Sequence, residues 1–285
     1  MSNVERTDGR LWGVSDLHVA YPDNREILEG VRPASDADWL LVAGDVGELT
    51  PHIEWALTRL KERFATVVWV PGNHELWTLA DDPVQLRGDL RYKYLVDMCR
   101  RIGVLTPEDP YPVWHGPGGP ARIAPLFLLY DYSFRPPGLS QQAALAWAEE
   151  AGIVCTDEFF LHPDPYPSRQ DWCAARLALT EQRLSAHQDG LPTVLVNHFP
   201  LTRDPLKVLH HQEFAQWCGT TRTHDWHRRF NASVVVYGHL HIPRTTWADG
   251  VRFEEVSLGY PREWKQRPRP LLQSILPAEE PLGSS

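Results

Sequence analysis

The sequence predicts an α/β architecture, and three observations lead there. Short aliphatic or β-branched runs recur along the chain, each bounded by polar residues or glycine, as buried parallel strands are. Apolar residues at helical spacing separate several of these runs. Five of the runs also end in Asp, Asn or His, the residue types that gather where strand ends meet.

Taken in order, the predicted strands are residues 11–14, 40–43, 67–70, 123–130, 194–196 and 234–237. A later run, 251–258, mixes apolar with charged residues and is predicted to be an outer or edge strand. Between the second and third runs Thr50 offers a helix cap and Pro51 a first helical position, followed by Ile53, Ala56, Leu57, Leu60 and Phe64 on one face. A second helix is predicted over about 171–187, with Cys173, Leu177 and Leu184 on one face and Gly190 just beyond it. A short helix over 224–230 precedes the strand at 234. Eight prolines fall between Pro107 and Pro137, so the stretch 76–169 reads as a loop-rich insertion.

Composition narrows the function. A chain of 285 residues, 42% hydrophobic, supports one large core, and we expect a single domain over 1–285. With 28 Lys+Arg against 37 Asp+Glu, a formal charge of -9, the surface as a whole repels phosphate backbones, which argues against a nucleic-acid binder. No apolar run approaches the roughly 18 residues of a membrane span, and the first ten residues are polar and not a charged region followed by an apolar stretch, so a cytoplasmic protein is expected. Cys99, Cys155, Cys173 and Cys218 stand far apart and are expected to be reduced, packed thiols.

The chemistry sits at the ends of the runs. The first leads into Asp16-Leu17-His18, the second into Gly44-Asp45, the third into Pro71-Gly72-Asn73-His74-Glu75, and two later ones into Asn197-His198 and Gly238-His239-Leu240-His241. Each motif alone has an ordinary reading as a turn, a cap or a core histidine. Five together, all at strand ends, do not. In an extended chain residues i and i+2 share a side, so Asp16 with His18, and His239 with His241, could each grip one cluster. Carboxylate, carboxamide and imidazole without thiolate suit Mn or Fe, with Zn possible, over a structural zinc site. Asp16, His18, Asp45, Asn73, His198, His239 and His241 are too many for one ion and, shared through Asp45, suit two.

In that order these motifs resemble the calcineurin-like metallophosphoesterase superfamily, over residues 16–241. The resemblance implies a four-layer α-β-β-α sandwich with two mixed sheets flanked by helices. It implies Asp16, His18, Asp45 and His241 on one metal, and Asp45, Asn73, His198 and His239 on the other. His74 matches the family's histidine that faces the substrate phosphate, so His74 and Asp45 are the expected catalytic pair. Many members carry Gly-Asp-x-x-Asp, whereas here Glu48 stands third after Asp45 and is expected to make the supporting contact with a longer arm. Glu75 is expected to hold His74 in its working tautomer.

Residues 67–77, 127–134, 193–201 and 236–260 are similar to bacterial phosphopantetheinyl hydrolases. That implies hydrolysis of the phosphodiester joining 4'-phosphopantetheine to a serine of a holo acyl carrier protein. The insertion at 76–169 would shape the substrate pocket, which Tyr130, Asp131 and Tyr132 are expected to line. Residues 261–285 read as a basic, then flexible tail. Its segment 262–269 holds Arg262, Lys265, Arg267 and Arg269 against one anion, and Pro268 and Pro270 are expected to keep it extended for docking an acidic carrier protein.

Overall fold

A computed structural model describes residues 8–187, 189–267 and 269–278. The chain runs β1 (Leu11–Val14), α1 (Pro22–Gly30), β2 (Trp39–Val42), α2 (Thr50–Lys61), β3 (Thr66–Trp69), α3 (Gly88–Arg101), β4 (Val113–Trp114) and β5 (Ala121–Pro125). It continues through α4 (Gln141–Glu150), α5 (Asp157–Phe160), α6 (Arg169–Ser185), β6 (Thr193–Val196), α7 (Trp226–Arg229) and β7 (Ala232–Tyr237). Then come β8 (Arg244–Ala248), β9 (Val251–Glu255), α8 (Pro261–Trp264) and β10 (Gln273–Leu276).

Two mixed sheets result, ordered β10-β1-β2-β3 and β4-β5-β6-β7-β9-β8. In the first only β10 is antiparallel to its neighbour; in the second only the edge strands β4 and β8 are. Strand alternation explains why both faces are apolar. Leu41, Ala43, Val68 and Val70 of the first sheet share a core with Ile123, Val194, Val196, Val234 and Val236 of the second. Their neighbours Leu40, Val42, Val67 and Trp69 belong instead to the cluster holding Ile53, Ala56, Leu57 and Leu60 of α2 and Leu95 and Cys99 of α3. A sheet packed on a sheet and backed by helices is the α-β-β-α sandwich, and it needs near-continuous apolar strands.

Several expectations are corrected. Thr50 is the first helical residue, not the cap, and its hydroxyl donates to Asp82 instead (2.7 Å). The run 123–130 is strand only as far as Pro125: the Leu126 amide makes a last bond to the Val196 carbonyl (2.8 Å), and residues 127–130 continue buried outside the sheet. β9 is not an edge strand: β8 covers it, and all five of its residues are buried. Its charges are answered internally, Arg252 pairing with Glu254 (3.2 Å) and donating to the Ile275 carbonyl. The insertion 76–169 holds α3, α4 and α5 as well as loops. Within 261–285, α8 makes a helical turn where an extended chain was expected, and β10 closes the first sheet against β1. Pro268 and the last residues of the expected flexible tail lie outside the described residues. Among the described residues no helix is long and apolar enough to cross a membrane.

Candidate metal centre

The carboxyl ends of β1, β2 and β3 in one sheet and of β6 and β7 in the other carry these motifs, and the chain leaves β1, β2 and β7 through left-handed turns. Asp16, His18, Asp45, His239 and His241 all have positive φ, between 41° and 71°. The i, i+2 pairs therefore converge through left-handed turns and not through extended strand, a conformation that costs non-glycine residues on the order of 1–3 kcal/mol and persists where the surroundings impose it. The surroundings do so here: Asp16 N–H donates to the Gly44 carbonyl (2.9 Å), His18 N–H to the Asp45 carbonyl (3.1 Å), and His239 N–H to the Asp16 carboxylate (3.0 Å). Close approach also requires glycine. A Cβ on Gly72 would stand 2.1 Å from Asp45 Oδ1, and one on Gly238 would stand 2.2 Å from Asp16 Oδ2.

The side chains form two clusters joined at Asp45. Asp16, His18 and His241 present ligand atoms within 4.8 Å of one another, as do Asp45, His198 and His239, while a third group links His18, Asp45 and His74. His241 Nε2 lies 3.0 Å from Asp16 Oδ1 and 3.2 Å from His18 Nε2. His198 Nε2 lies 3.4 Å from Asp45 Oδ2 and 3.1 Å from Asn73 Oδ1. His239 Nε2 is buried with no hydrogen-bond partner. Burial, with His198 adding to it, pushes this imidazole down to about 3, so it stays neutral with a lone pair to give. Converging nitrogens, paired carboxylates and one orphaned buried nitrogen fit divalent cations, and nothing in the donor set is soft enough to favour a thiolate-type metal.

Further contacts orient four of these side chains. His198 Nδ1 faces the Ala43 carbonyl (2.8 Å) and His241 Nδ1 faces Glu263 Oε2 (2.8 Å), so both turn Nε2 inward. Asn73 donates its amide to Asp157 Oδ1 (2.9 Å), which aims its carbonyl oxygen at the cluster; Trp77 Nε1 donates to the same oxygen (2.6 Å). Ser257 Oγ donates to Asp16 Oδ2 (2.7 Å). Glu48 Oε1 lies 2.9 Å from His74 Nδ1, the contact expected of it.

Glu75 does something else. Its carboxylate turns inward and accepts from the amides of Asp45 (3.0 Å), Val46 (2.8 Å) and Gly72 (2.9 Å), clamping the turn that carries Asp45. Burial, and then the neighbouring Asp45 charge, lift Glu75 to about 7.

His74 Nε2 stands 3.7 Å from Asp45 Oδ2, and both residues line a depression of about 410 Å³. Trp77, Asp157, Phe214, Tyr260 and Arg262 also line it. Tyr130, Asp131 and Tyr132 do not: both tyrosines are 1% exposed, Tyr132 bonds Glu158 and Asp131 accepts from Thr220, all away from the depression. Sequence reasoning missed Asp157, Tyr260 and the role of Glu263, none of which stands in a ligand-rich motif.

The pattern of the calcineurin-like phosphoesterase family matches residues 9–243. A curated relative from Mycobacterium tuberculosis, "[Acyl-carrier-protein] phosphodiesterase PptH", is 58% identical over 269 residues, 94% of this chain and 83% of its own. The crystal structure of phosphopantetheinyl hydrolase (PptH) from the same organism superposes with a TM-score of 0.93 at 56% identity, covering 95% of this chain and 97% of that one. The chain belongs to the calcineurin-like phosphoesterase family.

Proposed function

We propose that this protein is a dinuclear metal-dependent phosphodiesterase that releases 4'-phosphopantetheine from the serine of a holo acyl carrier protein. The observation that carries the reading is the meeting of Asp16, His18, Asn73, His198, His239 and His241 around Asp45, at strand ends drawn from both sheets. Identity of 58% to an acyl-carrier-protein phosphodiesterase supports the substrate.

Asp16, His18, Asp45 and His241 would hold one cation, and Asp45, Asn73, His198 and His239 the other, with Mn or Fe favoured by the oxygen and imidazole donors and Zn possible. Such a pair supplies Lewis acidity toward phosphate oxygens and a water nucleophile at neutral pH. The chain supplies the rest. Glu48 holds His74 Nδ1 and leaves Nε2 facing the depression, where it can give a proton to the departing serine oxygen. Burial alone would strip His74 of its proton, but Asp45 and Glu48 raise it above the ordinary histidine value. Glu75 and the left-handed turns keep Asp45 in place so that neither partner has to reorganise during the reaction. The loop-rich insertion contributes Trp77, Val154 and Asp157 to the depression, which supports its role in shaping the pocket. Four buried, unpaired cysteines agree with a reducing, cytoplasmic setting.

A hydrolysis panel tests the proposal: holo acyl carrier protein, a nucleotide, a phosphoprotein and a chromogenic diester, each read by mass spectrometry. Holo carrier protein should give the highest kcat/KM, with apo carrier protein and 4'-phosphopantetheine as products. Faster turnover of any other member would replace the carrier protein as substrate.

A further inference from the structure

Beside the metal depression lies a second cleft of about 440 Å³, well inside the roughly 300–1,000 Å³ of small-molecule sites. Its walls are Ile27 of α1, Pro243, Leu258, Trp264 and Leu271, so it is mainly apolar. His241 and Glu263 line both hollows, and their hydrogen bond forms the rim between them. Trp264 is fixed in the wall by its indole N–H, which donates to Asn24 Oδ1 (2.8 Å). Arg267 and Arg269 add guanidinium donors at the edge, and neither has a carboxylate within ion-pairing distance among the described residues.

Nothing in the metal chemistry uses this cleft. A phosphodiester has two alcohol arms, however, and a phosphate seated over Asp45 must send them different ways. The serine arm is short and keeps the carrier protein over the metal depression. The other is a long chain carrying a gem-dimethyl group, two amides and a thiol end, which needs an apolar trough with a few amide-binding groups.

We propose that the cleft between α1, Leu258 and α8 is the binding site for the pantetheine arm, which crosses the His241–Glu263 rim from the phosphate. The assignment rests on the phosphopantetheinyl reading above. Water adds to phosphorus, the bond from phosphorus to the serine oxygen breaks, that oxygen takes a proton, and the product keeps its phosphate on the arm held in the cleft. Ile27, Leu258 and Leu271 then set specificity for the arm, with Arg267 and Arg269 donating to its amide carbonyls.

The test compares two chromogenic diesters, p-nitrophenyl pantetheinyl phosphate and p-nitrophenyl methyl phosphate. Wild-type protein should prefer the first in kcat/KM by at least about tenfold, the size of effect that burying one or two extra apolar groups gives. Ile27→Trp and Leu271→Trp each fill the cleft from a different part of its lining and should each bring that preference to within about twofold. Circular dichroism confirms that both variants fold. A preference that survives in both variants, or that wild-type protein never shows, overturns the assignment. Release of 4'-phosphopantetheine from holo carrier protein by wild-type enzyme is measured alongside: its failure would refute the functional reading, whereas its success with an unchanged preference would refute the cleft alone.

Discussion

Replacing Glu263 by alanine should weaken one metal site and spare the other. Glu263 Oε2 faces His241 Nδ1 at 2.8 Å and also accepts from the Tyr260 amide at 2.8 Å, so α8 is tied to a ligand through this single oxygen. Without it the imidazole can rotate or protonate the wrong nitrogen, and Nε2 no longer points steadily at Asp16 and His18. Loss of such an orienting carboxylate typically costs 10–100-fold in metal affinity, which is about 1.4–2.7 kcal/mol. Glu263→Gln keeps a neutral acceptor and should fall between wild type and alanine. Because Asn73 is oriented by Asp157 and His198 by the Ala43 carbonyl, their site should change little. Calorimetric titration of metal-stripped protein with Mn²⁺ resolves the two sites if their affinities differ. The expected record has one binding step weakened 10–100-fold and the other within about twofold of wild type. Equal weakening of both steps, or none of either, would refute the division of ligands around Asp45.

Further outcomes follow from the same geometry. His74→Ala should fold and retain both ions while turnover falls about 10²–10⁴-fold, since His74 faces the substrate side of the depression; metal lost in proportion to activity would make it a ligand. Charge reversal of Arg262, Arg267 and Arg269 to Glu should raise KM for an acidic carrier protein several-fold at low salt and less at high salt. Lys265 is left out because it is already paired with Asp23. Burial pushes Glu108 up, but Arg176 and Tyr92 outweigh it and hold the carboxyl below its ordinary value. Its stabilising contribution is therefore full above the unfolded value of about 4.3 and disappears as pH falls toward the folded one. Glu108→Gln should lower Tm at neutral pH and flatten the acid side of the Tm–pH profile, read by scanning calorimetry.

The sequence was most legible where function and topology coincide. Buried parallel strands are short apolar runs, and their carboxyl ends are where side chains meet, so Asp16, Asp45, Asn73, His198 and His239 could be found by looking just past each run. The reason given for the i, i+2 pairs was incomplete, because left-handed turns bring them together and a sequence without glycine at those positions does not announce such turns. The strand-end rule misled at Tyr130 and Tyr132: β5 stops at Pro125, the Leu126 amide makes the last bond to β6, and residues 127–130 run on buried beyond the sheet.

Supporting groups were the least legible. Asp157 lies 84 positions from Asn73 and Glu263 lies 22 from His241, so only the folded chain reveals their contacts. Glu75 sits next to His74 yet faces away, as adjacent residues often do, and clamps the Asp45 turn instead. β10 was hidden because four polar and apolar residues among prolines carry little periodicity, and only its pairing with β1 makes them a strand.

Crystals grown with Mn²⁺ and measured at the manganese absorption edge offer the most direct test that these side chains hold two cations sharing Asp45. The account predicts two anomalous peaks roughly 3.5–4 Å apart, as in other two-metal sites, with a carboxylate oxygen of Asp45 within about 2.5 Å of each. A single peak, or Asp45 more than about 3 Å from both, would contradict it.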